Sequence, residues 1–387
     1  MNQKDLSDLK RRLNPDKKNP SILRGCYVSP NGDIISGFST HMEELSQEDN
    51  EKYMALFRRV LSGTQGRNLI PVGFTTEQVD GGEEYRLLWE LRETALRAEE
   101  LVSAFYDRVI TWIRGLQEGL SVEETQKAPN WLILLLHDGM DVSCRDGNGE
   151  IDRERSDRSF SYILGAVCPV RQNKPGLSWR DADGSFRSRE ADWVVSAPEL
   201  GLLFPAFEDG GANVYSAMLY TKNAADPHES FVRSVLGTEP LMPASEQQET
   251  LGDVLAESLG DECSMEVLQA AHEKVGSLIA EQKKDKHAEP LVFSGKDMSR
   301  IMQECGVSLE KAEAFEEQYE ETFGSRAELP AVNVLTPNEY KVTTPSVSIK
   351  VDPEHSNLVQ TRVIDGQCYV MVLVDGDVQV NGIRVQM

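Results

Sequence analysis

Residues Asp146, Asn148, Glu150 and Asp152 place an oxygen-bearing side chain at every second position, the alternation that a calcium loop uses. Such a loop needs glycine at its sixth place for the sharp turn, and Ile151 stands there. Asp375-Gly376-Asp377 fails in the same way, with Val380 at the sixth place. Both stretches read as hairpin loops. The six cysteines, Cys26, Cys144, Cys168, Cys263, Cys305 and Cys368, and the six histidines contain no pair at the close spacing of a compact zinc site. No metal and no cofactor is expected. His137 ends one apolar run and Cys168 follows another. If the two runs pair as an antiparallel hairpin, Cys168 sits about eight residues past the partner of His137, on the order of 25 Å away. A Cys–His dyad needs hydrogen-bond reach, so these two are not one. No G-x-S-x-G elbow and no phosphate-binding glycine loop is present. Gly63, Gly66 and Arg67 follow a helix rather than precede one, and read as its stop. With no catalytic motif, the sequence leans away from an enzyme.

One stretch remains. Residues 190–221 combine Asp192-Trp193, Ser196, Pro198-Glu199, Phe204-Pro205-Ala206-Phe207 and Asp209-Gly210-Gly211-Ala212-Asn213. Glycine and proline fix the backbone here, and rings stand beside polar tips. A long structured loop over 198–211, carried on a sheet, is where binding sites are often built. The candidate site residues are Trp193, Ser196, Glu199, Phe207 and Asn213. The plainer reading makes the rings plugs for the core, with Asn213 bonding backbone.

The elements that must position these residues follow from periodicity. A helix is expected over 4–13 and a hairpin over 22–28 and 33–38, turned by Pro30-Asn31-Gly32. A helix capped by Ser46 carries Tyr53, Leu56, Phe57, Val60 and Leu61 on one stripe. A strand is expected at 69–74, and residues 83–116 are helical with a break near 97–99. Strands follow at 131–137, 160–167, 191–196 and 213–221. From 226 the pattern turns helical, with helices over 245–282 and 295–323. Tail strands fall at 340–351, 358–364, 367–374 and 378–385, turned at Asp365-Gly366, Asp375-Gly376 and Asn381-Gly382. The fold class is α+β, mixing helical and antiparallel-sheet segments with a C-terminal β-rich tail. The expected domains are 1–225, 226–330 and 331–387.

Charge bounds the partners. The formal net charge is −24, which repels phosphate backbones and anionic lipid heads. Residues 228–330 carry 22 acids and 9 bases, whereas residues 1–24 carry 7 bases and 3 acids. Lys10, Arg11, Arg12, Lys17 and Lys18 give that start a weak route to nucleic acid, with packing on the chain's own acidic body as the simpler outcome. No export signal and no apolar run of membrane-spanning length is visible, so a cytoplasmic chain with reduced thiols is expected.

Arg24-Gly25-Cys26-Tyr27-Val28, the 192–201 stretch, Phe204-Pro205-Ala206-Phe207, the 361–366 stretch and Val380-Asn381-Gly382 together resemble a Firmicutes family catalogued as domain of unknown function 4317. The resemblance spans essentially the whole chain. It implies one architecture of conserved length and brings no activity and no catalytic residues. A coarser similarity, in the order of elements at 105–113, 131–136, 160–167, 231–237 and 347–351, is to the bacterial nucleoid-associated family. Phosphate neutralisation needs clustered lysine and arginine, so that likeness implies contact through a protein partner rather than direct DNA binding. A non-enzymatic binding protein is therefore the leading expectation. The alternative is an enzyme or small-molecule binder using residues 190–213. Oligomeric state is open.

Overall fold

A computed structural model of the chain describes residues 1–14, 21–142, 158–181, 184–208, 211–239, 241–285, 287–334, 340–374, 376–380 and 383–385. The calcium-like stretch 146–152, Cys144, Lys17, Lys18, Asp209-Gly210, Asp375 and the Asn381-Gly382 turn lie outside these residues. The chain divides into two compact units, Met1–Pro243 and Ala244–Met387.

The first unit is built on strands β1 (Ile22–Val28), β2 (Ile34–His41), β3 (Leu69–Gly73), β4 (Asn130–Val142), β5 (Arg158–Gln172), β6 (Gly176–Arg180), β7 (Ser185–Arg189), β8 (Trp193–Val195), β9 (Leu200–Phe204), β10 (Ala206–Glu208), β11 (Gly211–Asn213) and β12 (Ser216–Thr221). The main sheet runs β2-β1-β4-β5-β9-β12-β3, with β8 on the end of β5, and every pair in it is antiparallel. Its helices are α1 (Gln3–Arg12), α2 (Gln47–Val60), α3 (Thr76–Gly81), α4 (Glu83–Glu93), α5 (Glu99–Gly115), α6 (Val122–Lys127) and α7 (Glu229–Phe231), which runs on as a π-helical turn over Val232–Leu236.

Strand periodicity sorts the apolar side chains into two cores. Trp131, Ile133 and Leu135 of β4 meet α4, α5 and α7 on one face, while Leu132, Leu134 and Leu136 meet α1 and α2 on the other. Covered on both sides, the central strands are apolar throughout rather than alternating. The same logic corrects the expected loop at 198–211. Its first half is β9, fully buried between β5 and β12. Pro198, Gly201 and Pro205 mimic loop punctuation there. Gly201 is required by packing, since a Cβ would stand 2.5 Å from the Gly165 carbonyl oxygen and 2.7 Å from the Val60 methyls of α2.

The break between α4 and α5 falls where expected. Ala95 and Leu96 take left-handed backbone there, with φ of 49° and 58°, and Leu96 fills the core. The basic start packs on its own chain: Arg12 donates two hydrogen bonds of 3.0 Å to the Asp138 carboxylate, and the Met1 amine pairs with Glu208 at 3.2 Å. Residues 226–243, assigned by periodicity to the acidic helical stretch, fold with this unit, because Phe231, Val232, Val235 and Leu236 enter the core beside α4 and α5. The hairpin β6–β7 has no counterpart in the expected elements. Trp179 and Phe186 face each other across it at 5.2 Å, and both are exposed.

The second unit opens with helices α8 (Ala244–Leu259) and α9 (Met265–Gln282) and strand β13 (Val292–Ser294). Helices α10 (Gly295–Glu304) and α11 (Leu309–Phe323), strand β14 (Glu328–Pro330) and helix α12 (Ala331–Val334) follow. Ser264, Ser294 and Ser308 cap α9, α10 and α11 with their hydroxyls. Val254, Val275, Met302, Phe315 and Tyr319 lie in one core, and the Tyr319 hydroxyl reaches the Phe293 and Ala327 carbonyls at 3.2 Å. The tail makes three antiparallel hairpins: β15 (Tyr340–Thr343) with β16 (Ser348–Val351), β17 (Val359–Ile364) with β18 (Gln367–Val372), and β19 (Val378–Val380) with β20 (Ile383–Val385). Asp365 and Gly366 turn β17 into β18 with φ of 50° and 81°, the mirror-type turn their sequence predicts.

Candidate functional site

The five residues singled out in the sequence take separate places. Trp193 is half exposed on the edge strand β8. Ser196 and Glu199 follow along β5, their amides donating to the Pro169 and Val167 carbonyls. The Glu199 carboxylate pairs with Lys222 at 3.3 Å. Phe207 is buried on the α1–α2 side, its ring 4.7 Å from that of Phe160. Asn213 holds the turn after β11, donating to Glu208 at 2.6 Å and accepting from the Tyr215 amide. Across β10–β11 Phe207 pairs with Ala212 and Asn213 with Ala206, and none of the five lines either cavity described below.

His137 and Cys168 also part. In the β4–β5 register His137 pairs with Ile163 and Cys168 with Leu132, and those partners belong to opposite cores. The two side chains therefore lie on opposite faces of the sheet. His137 contacts the Ser161 hydroxyl at 2.9 Å, and burial holds its pKa below the usual histidine value. Burial pushes the Cys168 thiol up to about 12, so it is no nucleophile at neutral pH.

A smaller cavity of about 290 Å³ lies in the first unit beside Gly82, Tyr85, Trp89 and Val214. The larger one, about 810 Å³, belongs to the second unit and is of the size that small-molecule sites have. Helical spacing builds its floor. Met265, Leu268, Ala271, His272 and Val275 fall along one stripe of α9, and Met298 and Met302 stand one turn apart on α10. Leu255 of α8 and Val334 of α12 complete the apolar side, while Gln248 adds an amide. The tail closes the rest with Tyr340, Val342, Thr343 and the cross-strand pair Thr361–Val370.

Polar chemistry gathers at two points of this lining. His272 is buried, its ring edge-on to that of Tyr340 at 5.3 Å. Burial, with Glu266 and Glu273 nearby, raises the Tyr340 pKa, so its phenol stays neutral at physiological pH. Lys341 and Lys350 are exposed, line the cavity, and face each other directly across β15–β16. Like charges placed so destabilise a hairpin. They stand in a unit of 12 lysines and arginines against 26 aspartates and glutamates. Glu266 accepts from Thr361 at 3.3 Å and Glu273 from Ser356 at 3.2 Å, and neither acid lines the cavity. Among the described residues the lining has no carboxylate and no thiol. It offers an apolar bed and a cationic mouth, not an acid–base pair.

Sequence reasoning did not find this cavity. Its signal was present in the methionines of α9 and α10, which suit an adaptable apolar surface, and in two lysines placed to pair across a hairpin. Among the described residues no group of three His, Cys, Asp or Glu side chains is arranged to hold a metal ion, and no helix is long and apolar enough to cross a membrane.

An all-antiparallel sheet covered by helices on both faces, joined to a helical unit with a hairpin tail, defines a two-unit α+β protein. The chain belongs to the family described as a domain of unknown function (DUF4317), whose profile matches residues 1–383 and so takes in both units. No curated protein gives a match to it. The similarity in element order to the nucleoid-associated family has no support from these comparisons.

Proposed function

We propose that this is a non-enzymatic binding protein that holds an amphipathic, anionic small molecule in the cavity of its C-terminal unit. One observation carries the reading: an apolar hollow of about 810 Å³ opens beside the directly opposed Lys341 and Lys350. An alkyl chain would bury against Leu268, Val275, Met298 and Met302, and burial of apolar surface supplies most of the affinity. The two ammonium groups would hold an acidic head at the mouth. Cytoplasmic residence belongs to the same proposal, supported by five free cysteines among the described residues.

Isothermal titration of the full chain with dodecanoate and with dodecanol tests it. Dodecanoate should saturate one site, and dodecanol should bind more weakly. Met302→Trp, which fills the hollow, should abolish binding with the far-UV spectrum unchanged. Lys341→Glu with Lys350→Glu should weaken dodecanoate about ten-fold, the scale of two exposed charge contacts reversed. No saturable binding, or binding indifferent to Met302→Trp, overturns the reading. Equal affinity for dodecanoate and dodecanol removes the anionic head alone.

A further inference from the structure

The hairpin β17–β18 carries more exposed apolar surface than a lone hairpin keeps in water. Val363, Ile364, Tyr369, Val370, Met371 and Val372 are exposed on it, and Leu373 and Val374 continue the run at 60% and 48% exposure. Over the two faces of the hairpin these side chains expose on the order of 700 Å², so each face carries roughly 350 Å², the size of a functional apolar patch.

The backbone narrows the occupant. Strand β18 pairs with β17 alone in a two-stranded sheet, so its outer edge presents unpaired amides and carbonyls among the described residues. A two-stranded hairpin is marginal without further strands or a packed face. Edges are normally guarded by lysine, proline or a bulge. The segment 367–374 has no charge and no proline, whereas β17 carries Arg362 and ties Thr361 to Glu266. An extended chain is therefore what β18 accepts. The local neutrality lets a second copy approach despite a net charge of −24. Antiparallel pairing of a strand with itself is the contact that a two-fold axis generates.

We propose that the protein forms a two-fold dimer in which β18 of one copy pairs antiparallel with β18 of the other. The product is a four-stranded sheet, β17-β18-β18-β17, spanning both copies. Residues such as Val370 and Met371, on opposite faces of that sheet, are shielded by their counterparts. The pairing uses the outer backbone edge of β18, whereas the cavity is lined from β18 by Val370 alone.

Sedimentation equilibrium on the full chain at tens of micromolar decides it first. The expected species has twice the chain mass of 43.2 kDa. A monomer at that concentration overturns the proposal. Hydrogen exchange on the unmodified chain locates the interface: amides of 367–374 should be protected at high concentration and exchange freely on dilution. A dimer whose β18 amides exchange equally in both conditions has its interface elsewhere, and the proposal falls. Met371→Lys, at an exposed β18 position outside the cavity lining, should return the chain to monomer with its far-UV spectrum retained, and a dimer that survives it also refutes the pairing. If that variant does not fold, the exchange comparison on the natural chain still decides.

Discussion

Removing the Arg12 guanidinium should destabilise the first unit by about 3 kcal/mol, the lower end of what breaking a buried ion pair costs. Asp138 is only 2% exposed, and two of its hydrogen bonds come from Arg12. A third comes from the buried Tyr162 hydroxyl at 2.9 Å. Arg12→Met keeps the apolar stem against the sheet and deletes only the charge. A carboxylate then stays buried without the Arg12 charge. The lower end of the range applies because the Arg12 side chain is 24% exposed and water can reach part of the gap. Adding Asp138→Asn should recover most of the loss, since a neutral amide still accepts from Tyr162, leaving a net cost of about 1 kcal/mol. All five tryptophans, Trp89, Trp112, Trp131, Trp179 and Trp193, lie in Met1–Pro243, so urea unfolding followed by their fluorescence reports this unit selectively. With a slope of about 3 kcal/mol per molar urea, the midpoint should fall by about 1 M in Arg12→Met. A fall below about a third of that, or a double variant less stable than Arg12→Met, would refute a charge-paired Asp138.

Three further outcomes follow from the same packing. Gly201→Ala places a methyl against the Gly165 carbonyl and Val60, and should lower first-unit stability by about 1–3 kcal/mol in the same urea assay; an unchanged midpoint would mean that α2 sits farther from β9. Burial lowers the folded pKa of His137 and His228, so the unfolded chain takes up protons first as pH falls below about 6.5. Stability should be flat above that value and decline beneath it, through the depressed folded pKa values. His228→Gln should flatten part of the decline, and an identical pH profile would remove His228 from it. Burial raises the Cys168 thiol to about 12 and the Cys26 thiol to about 11, with Asp107 adding to the latter. In a native thiol titration mapped by mass spectrometry, exposed Cys368 should react well before either of them, and early labelling of Cys168 would contradict its place under α2.

Local signals were legible wherever a single element decides them. Ser46 accepts from the Asp49 amide at the start of α2, as its spacing to Asp49 suggests. The Asp365-Gly366 turn and the apolar runs of β4 and β5 also read directly, because turn chemistry and burial act within a few residues. Strand β9 did not read as a strand. Leu200-Gly201-Leu202-Leu203-Phe204 is short, lacks alternation and is flanked by prolines, and only its neighbours β5 and β12 make it central. The β6–β7 hairpin was missed for the opposite reason. Its alternation is plain, but arginines dilute it. The site was the least legible part. Met302, His272 and Lys341 come from elements dozens of residues apart, and no local pattern records that they line one hollow. In the aromatic stretch ending at Phe207 the plainer reading of the rings as core plugs describes Phe207, which is packed against Phe160, whereas Trp193 is half exposed.

The strand order of the first unit sets a timetable for synthesis. Among the described strands β3 pairs with β12 alone, from Leu69 with Tyr220 to Gly73 with Ser216, so the ribosome must add about 140 residues after β3 before its neighbour exists. At about 5–20 residues per second that wait is roughly 7–30 s. Meanwhile β1, β2, β4 and β5 can zip in order behind α1 and α2. Leu69 and Val72 stay without a seat until β9 and β12 emerge. A nascent chain stalled short of residue 193 thus holds a half-built sheet whose free margin is the greasy side of β5, a natural place for a holding chaperone to grip.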